Sequence, residues 1–280
     1  MHPYLKLDAG AFGTPVCRFG LAARGNSRLA PDDVHVAIEQ GVNFLNWYAE
    51  SEGRREPDGL AQAIASLGKA REAVVVCVQM AARTASEAAR ELRSVMATLA
   101  TDYLDVVTCY YVEQMDEWDA LIAPDGALTY CRQLQRDGVV RRIGLTTHQR
   151  LLAAAVAGSG SVDTLMIRYN AAHRGAETEV FPVTHQRGIP VIAYTALRWG
   201  ALLRSTPDDP ADYVVAAAPE WYRFVLDSEA VSVVLAAPRT RAELDEDLRV
   251  LSAEGRLPAH RRDALAEHGQ RVRMHGGAFP

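Results

Sequence analysis

Clustered positive charge is missing from this 280-residue chain, whose formal charge is −5 at neutral pH. Nucleic acid and anionic membrane surfaces are gripped by concentrated Lys and Arg, so neither is an expected partner. Cysteine is scarce as well: Cys17, Cys77, Cys109 and Cys131 stand alone, without a Cys-x-x-Cys spacing. That pattern excludes a zinc or disulfide framework and leaves four reduced, mostly buried thiols, as in a cytoplasmic protein. No apolar run approaches the roughly 20 residues that cross a bilayer, and Met1-His-Pro-Tyr4 carries no cleavable signal. Linkers, low-complexity tracts and composition breaks are absent too, so a single domain over residues 1–280 is expected.

What the chain does contain is one unit repeated, an apolar strand followed by an amphipathic helix. The organising stretch is Asp102-Tyr-Leu-Asp-Val-Val-Thr-Cys-Tyr-Tyr-Val-Glu113, a β-branched run leading into two tyrosines and an acid. Its composition is that of a parallel strand buried on both faces. Further strands are expected at Cys17–Ala22, Val42–Trp47, Ala73–Gln79, Val139–Thr147, Thr164–Arg168, Pro190–Tyr194 and Val231–Leu235. Between them, helices are marked by Pro31-Asp-Asp33, Gly59–Leu67, the capping pattern Thr84-x-x-Glu87, Gly126–Arg136, Gln149–Ala157, Glu177–Gln186 and Arg241–Leu251. Tyr4 to Val16, punctuated by Gly10, Gly13 and Pro15, suits a preceding hairpin, and an extra helix follows Pro258. Right-handed strand–helix–strand units repeated eight times close into an α/β barrel of the (β/α)8 TIM type. In such a barrel the residues at the carboxyl ends of the strands meet substrate.

Several strings are similar to the aldo-keto reductase superfamily. They are Gly41-Val-Asn-Phe-Leu-Asn46, Arg71-Glu-Ala-Val-Val-Val76, Thr101-Asp-Tyr-Leu-Asp-Val106, Gly138-Val-Val-Arg-Arg-Ile-Gly144, Gly188-Ile-Pro-Val-Ile-Ala-Tyr194 and Pro238-Arg-Thr-Arg-Ala-Glu-Leu-Asp-Glu-Asp247. Each string alone is weakly specific, but together they follow the family order from about residue 4 to 251. The resemblance implies a nicotinamide cofactor, NADP or NAD, at the carboxyl ends of the strands, and a small-molecule substrate.

The family reduces carbonyls with an Asp, Tyr, Lys and His tetrad. Carried over position by position, that tetrad is absent: Asn46 stands for the aspartate, Ser51 for the tyrosine, Gln79 for the lysine and Tyr110 for the histidine. Losing the Asp and the Lys together keeps the buried site neutral rather than leaving one charge unpaired. A phenol with no cation beside it titrates near 10, so ordinary ketone reduction by the family's mechanism is not expected. What remains is Tyr110 as proton donor or orienter, Tyr48 as its alternative on the same strand parity as Asn46, and the amides of Asn46 and Gln79. Trp47, Tyr111 and Trp118 are candidate walls of an apolar pocket. Glu50, Glu113 and His148 are the titratable groups of the rim.

The resemblance assigns a cofactor cradle to Thr146, Thr147, Tyr194, Thr195 and Leu197, with Arg239, Thr240 and Arg241 as a basic helix start for the ribose phosphate. Met166 replaces a glutamine of that cradle, Asp247 an asparagine at the adenine, and Glu243 falls where Arg or Gln is common. An acid there repels the extra phosphate of NADP. Plainer readings stand beside these. His148 is a base or a helix cap. His173 and Arg174 hold ligand or a salt bridge, and Cys109 is a buried thiol pointing away from the mouth. Trp199 is a wall residue with Arg198 stacked nearby, and Arg54-Arg55-Glu56 is a solvated loop. Three functions follow: an atypical hydride-transferring oxidoreductase acting on a small, rather apolar carbonyl, imine or conjugated double bond; a non-redox dehydration, elimination or rearrangement; or a cofactor-binding pseudoenzyme. Fold alone does not choose among them.

Overall fold

Eight strands too apolar to leave either face in water are brought into a closed ring. The computed structural model describes residues 1–22, 27–49 and 58–276. Its ring strands are β3 (Phe19–Ala22), β4 (Phe44–Trp47), β5 (Val75–Met80), β6 (Leu104–Cys109), β7 (Val140–Thr147), β8 (Thr164–Arg168), β9 (Val191–Tyr194) and β10 (Val231–Ala236). Every neighbouring pair is parallel, and β10 pairs with β3 to close the barrel. Before the ring, β1 (Lys6–Leu7) and β2 (Val16–Cys17) form the expected antiparallel hairpin. Cys17 therefore belongs to the hairpin, and the first ring strand starts at Phe19.

Around the ring lie α1 (Pro31–Glu39), α2 (Gly59–Ala65), α3 (Ala85–Thr98), α4 (Met115–Ile122), α5 (Ala127–Arg136), α6 (Arg150–Ser159), α7 (Ala176–Glu179), α8 (Phe181–Arg187), α9 (Ala218–Leu226), α10 (Arg241–Leu248) and the terminal α11 (Ala259–His275). Among the described residues, no helix is long and apolar enough to cross a membrane. The architecture is the (β/α)8 TIM barrel with an N-terminal hairpin and an extra C-terminal helix. Local chemistry explains the boundaries. Thr84 caps α3 reciprocally with Glu87, the capping box legible in the sequence. Gly160 and Gly188 end α6 and α8 with left-handed φ of 73° and 64°, which costs a glycine nothing.

Two helix expectations are corrected. The single helix over Glu177–Gln186 is broken into α7 and α8 at Val180. Pro182 lacks the N–H that a continuous helix needs and its ring collides with the carbonyl four residues back. Helix α4 has no counterpart among the expected helices. It opens after Gln114, where the Glu117 carboxylate accepts from the amides of Glu113 at 2.6 Å and Gln114 at 3.1 Å, satisfying donors that a helix start leaves open.

Alternation along each strand sorts the core into two shells. Inside the ring, Phe44, Val75, Cys77, Val106, Met166, Ile192, Val233 and Leu235 pack with Phe12 and Val16 of the hairpin segment. Phe12 meets Phe44 edge-on at 5.1 Å, so the hairpin plugs the amino end of the barrel. That leaves the carboxyl end as the open mouth. Outside the ring, the opposite strand faces pack on the helices, and Cys109 and Trp47 lie in that outer shell.

The plugged end also carries a buried ion-pair cluster. Asp105, with no solvent exposure, accepts from Arg71 at 2.8 Å, Arg141 at 2.7 Å and the Val76 amide at 2.9 Å. The Tyr103 ring lies under both guanidinium groups, 4.2 and 4.3 Å away. A buried carboxylate is tolerated when its oxygens are this fully satisfied.

Candidate active site

Strand parity places Asn46 on β4, Gln79 on β5, Tyr110 just past β6, Thr146 and Met166 on β7 and β8, and Tyr194 on β9 around one cavity of about 850 Å³. Tyr48 and Tyr111 join them at the mouth. The cavity continues past Thr195, Leu197, Trp199 and Gly200 to Arg204, Arg239, Glu243, Glu246 and Asp247 beside α10. One cavity is thus lined both by uncharged mouth residues and by the charged residues beside α10.

The mouth is walled by rings in contact. Tyr48 lies 4.1 Å from Tyr110, Tyr110 stacks on Tyr111 at 4.0 Å, Tyr111 meets His148 at 4.5 Å, and His148 stands edge-on to Tyr194 at 5.6 Å. Burial raises the Tyr111 phenol, against a lowering hydrogen bond from Tyr110, and burial raises Tyr194 further. Both phenols stay protonated through the neutral range. The Tyr194 hydroxyl donates to the Thr147 carbonyl at 3.0 Å, which fixes the ring. His148 is held below its ordinary value by burial although Glu113, 3.1 Å from its Nδ1, pulls the other way. Glu113 also accepts from the His148 amide at 2.9 Å and from Gln149 at 3.0 Å, so the pair braces the rim.

Two polar atoms of this wall are buried without a hydrogen-bond partner among the described residues: Asn46 Oδ1 and Thr146 Oγ1, on residues 2% and 1% exposed. A native fold rarely leaves such groups orphaned, and a site for a polar ligand is a physical reason to do so. Backbone strain gathers nearby as well. Among the described residues, non-glycine positive φ occurs at Ala100, Tyr111, Thr195, Arg198 and Trp199. Of these, Tyr111, Thr195 and Trp199 line the cavity, the pattern of strain held at a functional site by its surroundings.

Several expected site residues are elsewhere. Trp47 points outward, 1% exposed, and its indole N–H donates to Asp58 at 2.9 Å; the parity that turns Asn46 and Tyr48 inward turns Trp47 out. Trp118 is likewise outer core, carried there by α4. Thr147 is turned from the cavity by the same alternation, and its hydroxyl accepts from the Gln149 amide at 3.0 Å. Thr240 caps α10 by accepting from the Glu243 amide at 3.3 Å. Arg241 reaches Asp33 at 3.0 Å and Asp245 at 2.7 Å, away from the cavity lining. Arg239 does line it, with its guanidinium on Glu243 at 2.8 Å.

Arg198 is buried and donates to the Val272 carbonyl of α11. Arg174 forms the salt bridge with Glu177 at 2.9 Å, and His173 is bonded to Asn170 at 3.2 Å. Glu50, Ser51 and Arg54-Arg55-Glu56 lie outside the described residues. Residues that the strand patterns did not reveal include Arg204, Glu246 and Tyr222, which line the α10 end. Tyr222 is hydrogen-bonded to Asp247, a contact between α9 and α10 with no sequence spacing to announce it.

Known proteins share this fold. The chain is similar to an aldo-keto reductase from Bacillus halodurans in its holo form, with TM-score 0.75, 16% identity, and 94% of this chain and 95% of that one covered. It is similar to an aldo-keto reductase from Klebsiella pneumoniae described in complex with NADPH, with TM-score 0.73, 17% identity and coverage of 91% and 92%. It is also similar to the glycerol dehydrogenase of Gluconobacter oxydans, with TM-score 0.69, 16% identity and coverage of 99% and 98%. At these identities the likeness is one of fold. The model of the aldo/keto reductase family matches residues 18–220 of the 280, so the chain belongs to the aldo/keto reductase family.

Proposed function

We propose that this chain is a nicotinamide-dinucleotide-dependent oxidoreductase that acts on a small, rather apolar carbonyl, imine or conjugated double bond. One observation carries the reading: the tyrosine-walled mouth and the α10 residues line one cavity, with Asn46 Oδ1 and Thr146 Oγ1 buried in its wall and unpartnered among the described residues. These acceptors fit the amide N–H groups of a carboxamide, and Tyr194 offers a fixed aromatic face for a planar ring. The NADPH complex of the Klebsiella pneumoniae relative supports the same class of ligand. A reduced nicotinamide, when bound, supplies hydride.

The residues of this chain then bind and orient. Tyr110, held between Tyr48 and Tyr111, presents a phenol to a substrate oxygen or nitrogen, with Tyr48 as the alternative. A rigid, protonated phenol stabilises negative charge developing there without first losing its own proton. Gln79 and Asn46 supply neutral hydrogen bonds in place of an ion pair. Desolvation inside the apolar mouth strengthens each of these contacts.

Titration of the purified protein with NADH and NADPH, followed by nicotinamide fluorescence, tests the reading. Saturable binding is expected, and Tyr110→Phe is expected to lower turnover about tenfold or more while leaving nucleotide binding within about twofold. Absence of binding at high micromolar nucleotide overturns it. A non-redox elimination or rearrangement is the second reading, favoured by the Glu113–His148 pair, whose His148 ring lies 4.5 Å from that of Tyr111; substrate turnover with no nucleotide present selects it.

A further inference from the structure

We infer that the cavity discriminates against a phosphate on the adenosine ribose, so that the preferred nucleotide is NAD(H) rather than NADP(H). The inference rests on the dinucleotide reading above. If the ring end of a dinucleotide occupies the mouth, its other end has Arg239, Glu243, Glu246 and Asp247 to lie against, since these line the same cavity.

Charge at that end is predominantly acidic. Glu243, Glu246 and Asp247 fall within about one turn of α10, and all line the cavity. Among the described residues, the cations of the lining are Arg204 and Arg239. Arg239 is committed: Glu243 takes its guanidinium at 2.8 and 3.1 Å and its backbone amide at 2.7 Å. A pyrophosphate already brings two negative charges for Arg204 to meet. A ribose phosphate adds about −1.5 to −2 more, and it must either break the Arg239–Glu243 fork or lie beside Glu246 and Asp247. Arg241 gives no relief, since Asp33 and Asp245 hold it outside the lining.

The carboxylates also feel one another. Burial first, and then Glu243 and Glu246, push Asp247 up to about 7 against the lowering bond from Tyr222. A further anion at this end meets the same field. A ribose bearing two hydroxyls meets none of this repulsion, and its O–H groups can donate to the carboxylates.

The test is direct binding of NADH and NADPH to the full chain, with Glu243→Gln and Glu246→Gln beside the wild type. Wild-type protein is expected to bind NADH at least about tenfold tighter than NADPH at roughly 0.1 M salt, where charges within about 10 Å still interact. In Glu243→Gln, Arg239 is released and one charge is removed, so the ratio should move about tenfold toward NADPH. Glu246→Gln should move it less, because Arg249 already holds Glu246 at 2.6 Å. Equal or tighter NADPH binding by the wild type overturns the inference and leaves the dinucleotide reading standing. An unchanged ratio in both variants overturns it also. Failure to bind either nucleotide overturns both.

Discussion

The two ends of the barrel use polar groups in opposite ways. At the plugged amino end, Asp105 is fully buried and fully paired, held by two arginines that also cover Tyr103. At the open carboxyl end, the ring of Asn46, Gln79, Tyr48, Tyr110, Tyr111, Thr146 and Tyr194 is uncharged, and two of its buried polar atoms have no partner among the described residues. Satisfied charge locks the end where nothing needs to move. Unsatisfied neutral groups remain where a ligand has to be received. On the proposed function, stability and binding fall to different poles of one closed sheet, and substitutions at each pole should separate them.

The largest effect is expected at the lock. Asp105→Ala strands the buried Arg71 without its counter-charge and should cost about 3–5 kcal/mol in chemical denaturation. If it costs no more than a mouth substitution, the contrast between the poles fails. A smaller effect is expected at the α10 end of the cavity. Asp247, raised to about 7 from the ordinary carboxylate value near 4, favours the fold in its protonated form. Its contribution is complete below about pH 4 and is lost as the pH rises through about 7. Asp247→Asn should therefore match the wild type near pH 4 and exceed it by roughly 1–3 kcal/mol at pH 8. Thermal midpoints measured across that range would show a constant difference if this assignment were wrong. The smallest effect on stability should come from the mouth. Thr146→Val removes a hydroxyl without a partner and should leave stability within about 0.5 kcal/mol, yet weaken nucleotide binding roughly fivefold, the worth of one hydrogen bond.

Much of the fold was legible because its signals are local. The run Leu104–Cys109 is apolar enough on both faces to be read as an interior strand, and it is buried whole. Capping at Thr84 follows from two residues three apart, Thr84 and Glu87. The break at Val180 was also in the sequence, as Pro182, but was hidden by an apolar pattern that runs on through it. At the site, alternation correctly paired Asn46 with Tyr48 and turned Cys109 away. The same rule, applied to Trp47 and Thr147, directs them outward; the aromatic character of Trp47 and the family resemblance of Thr147 obscured it. The basic string Arg239-Thr-Arg241 read as a phosphate loop because its acidic partners are distant in sequence (Asp33) or lie one helical turn away (Glu243 and Asp245).

The sequence by itself determined a ring of parallel strands and its hairpin plug, since hydrophobic period and turn residues are properties of short stretches. Tertiary structure alone decided that rings from four different strand ends touch in series from Tyr48 to Tyr194. It also decided that two polar atoms face the cavity without partners, and that Arg241 is drawn away to Asp33. Those facts depend on distances between segments far apart in the chain, which only the closed barrel sets.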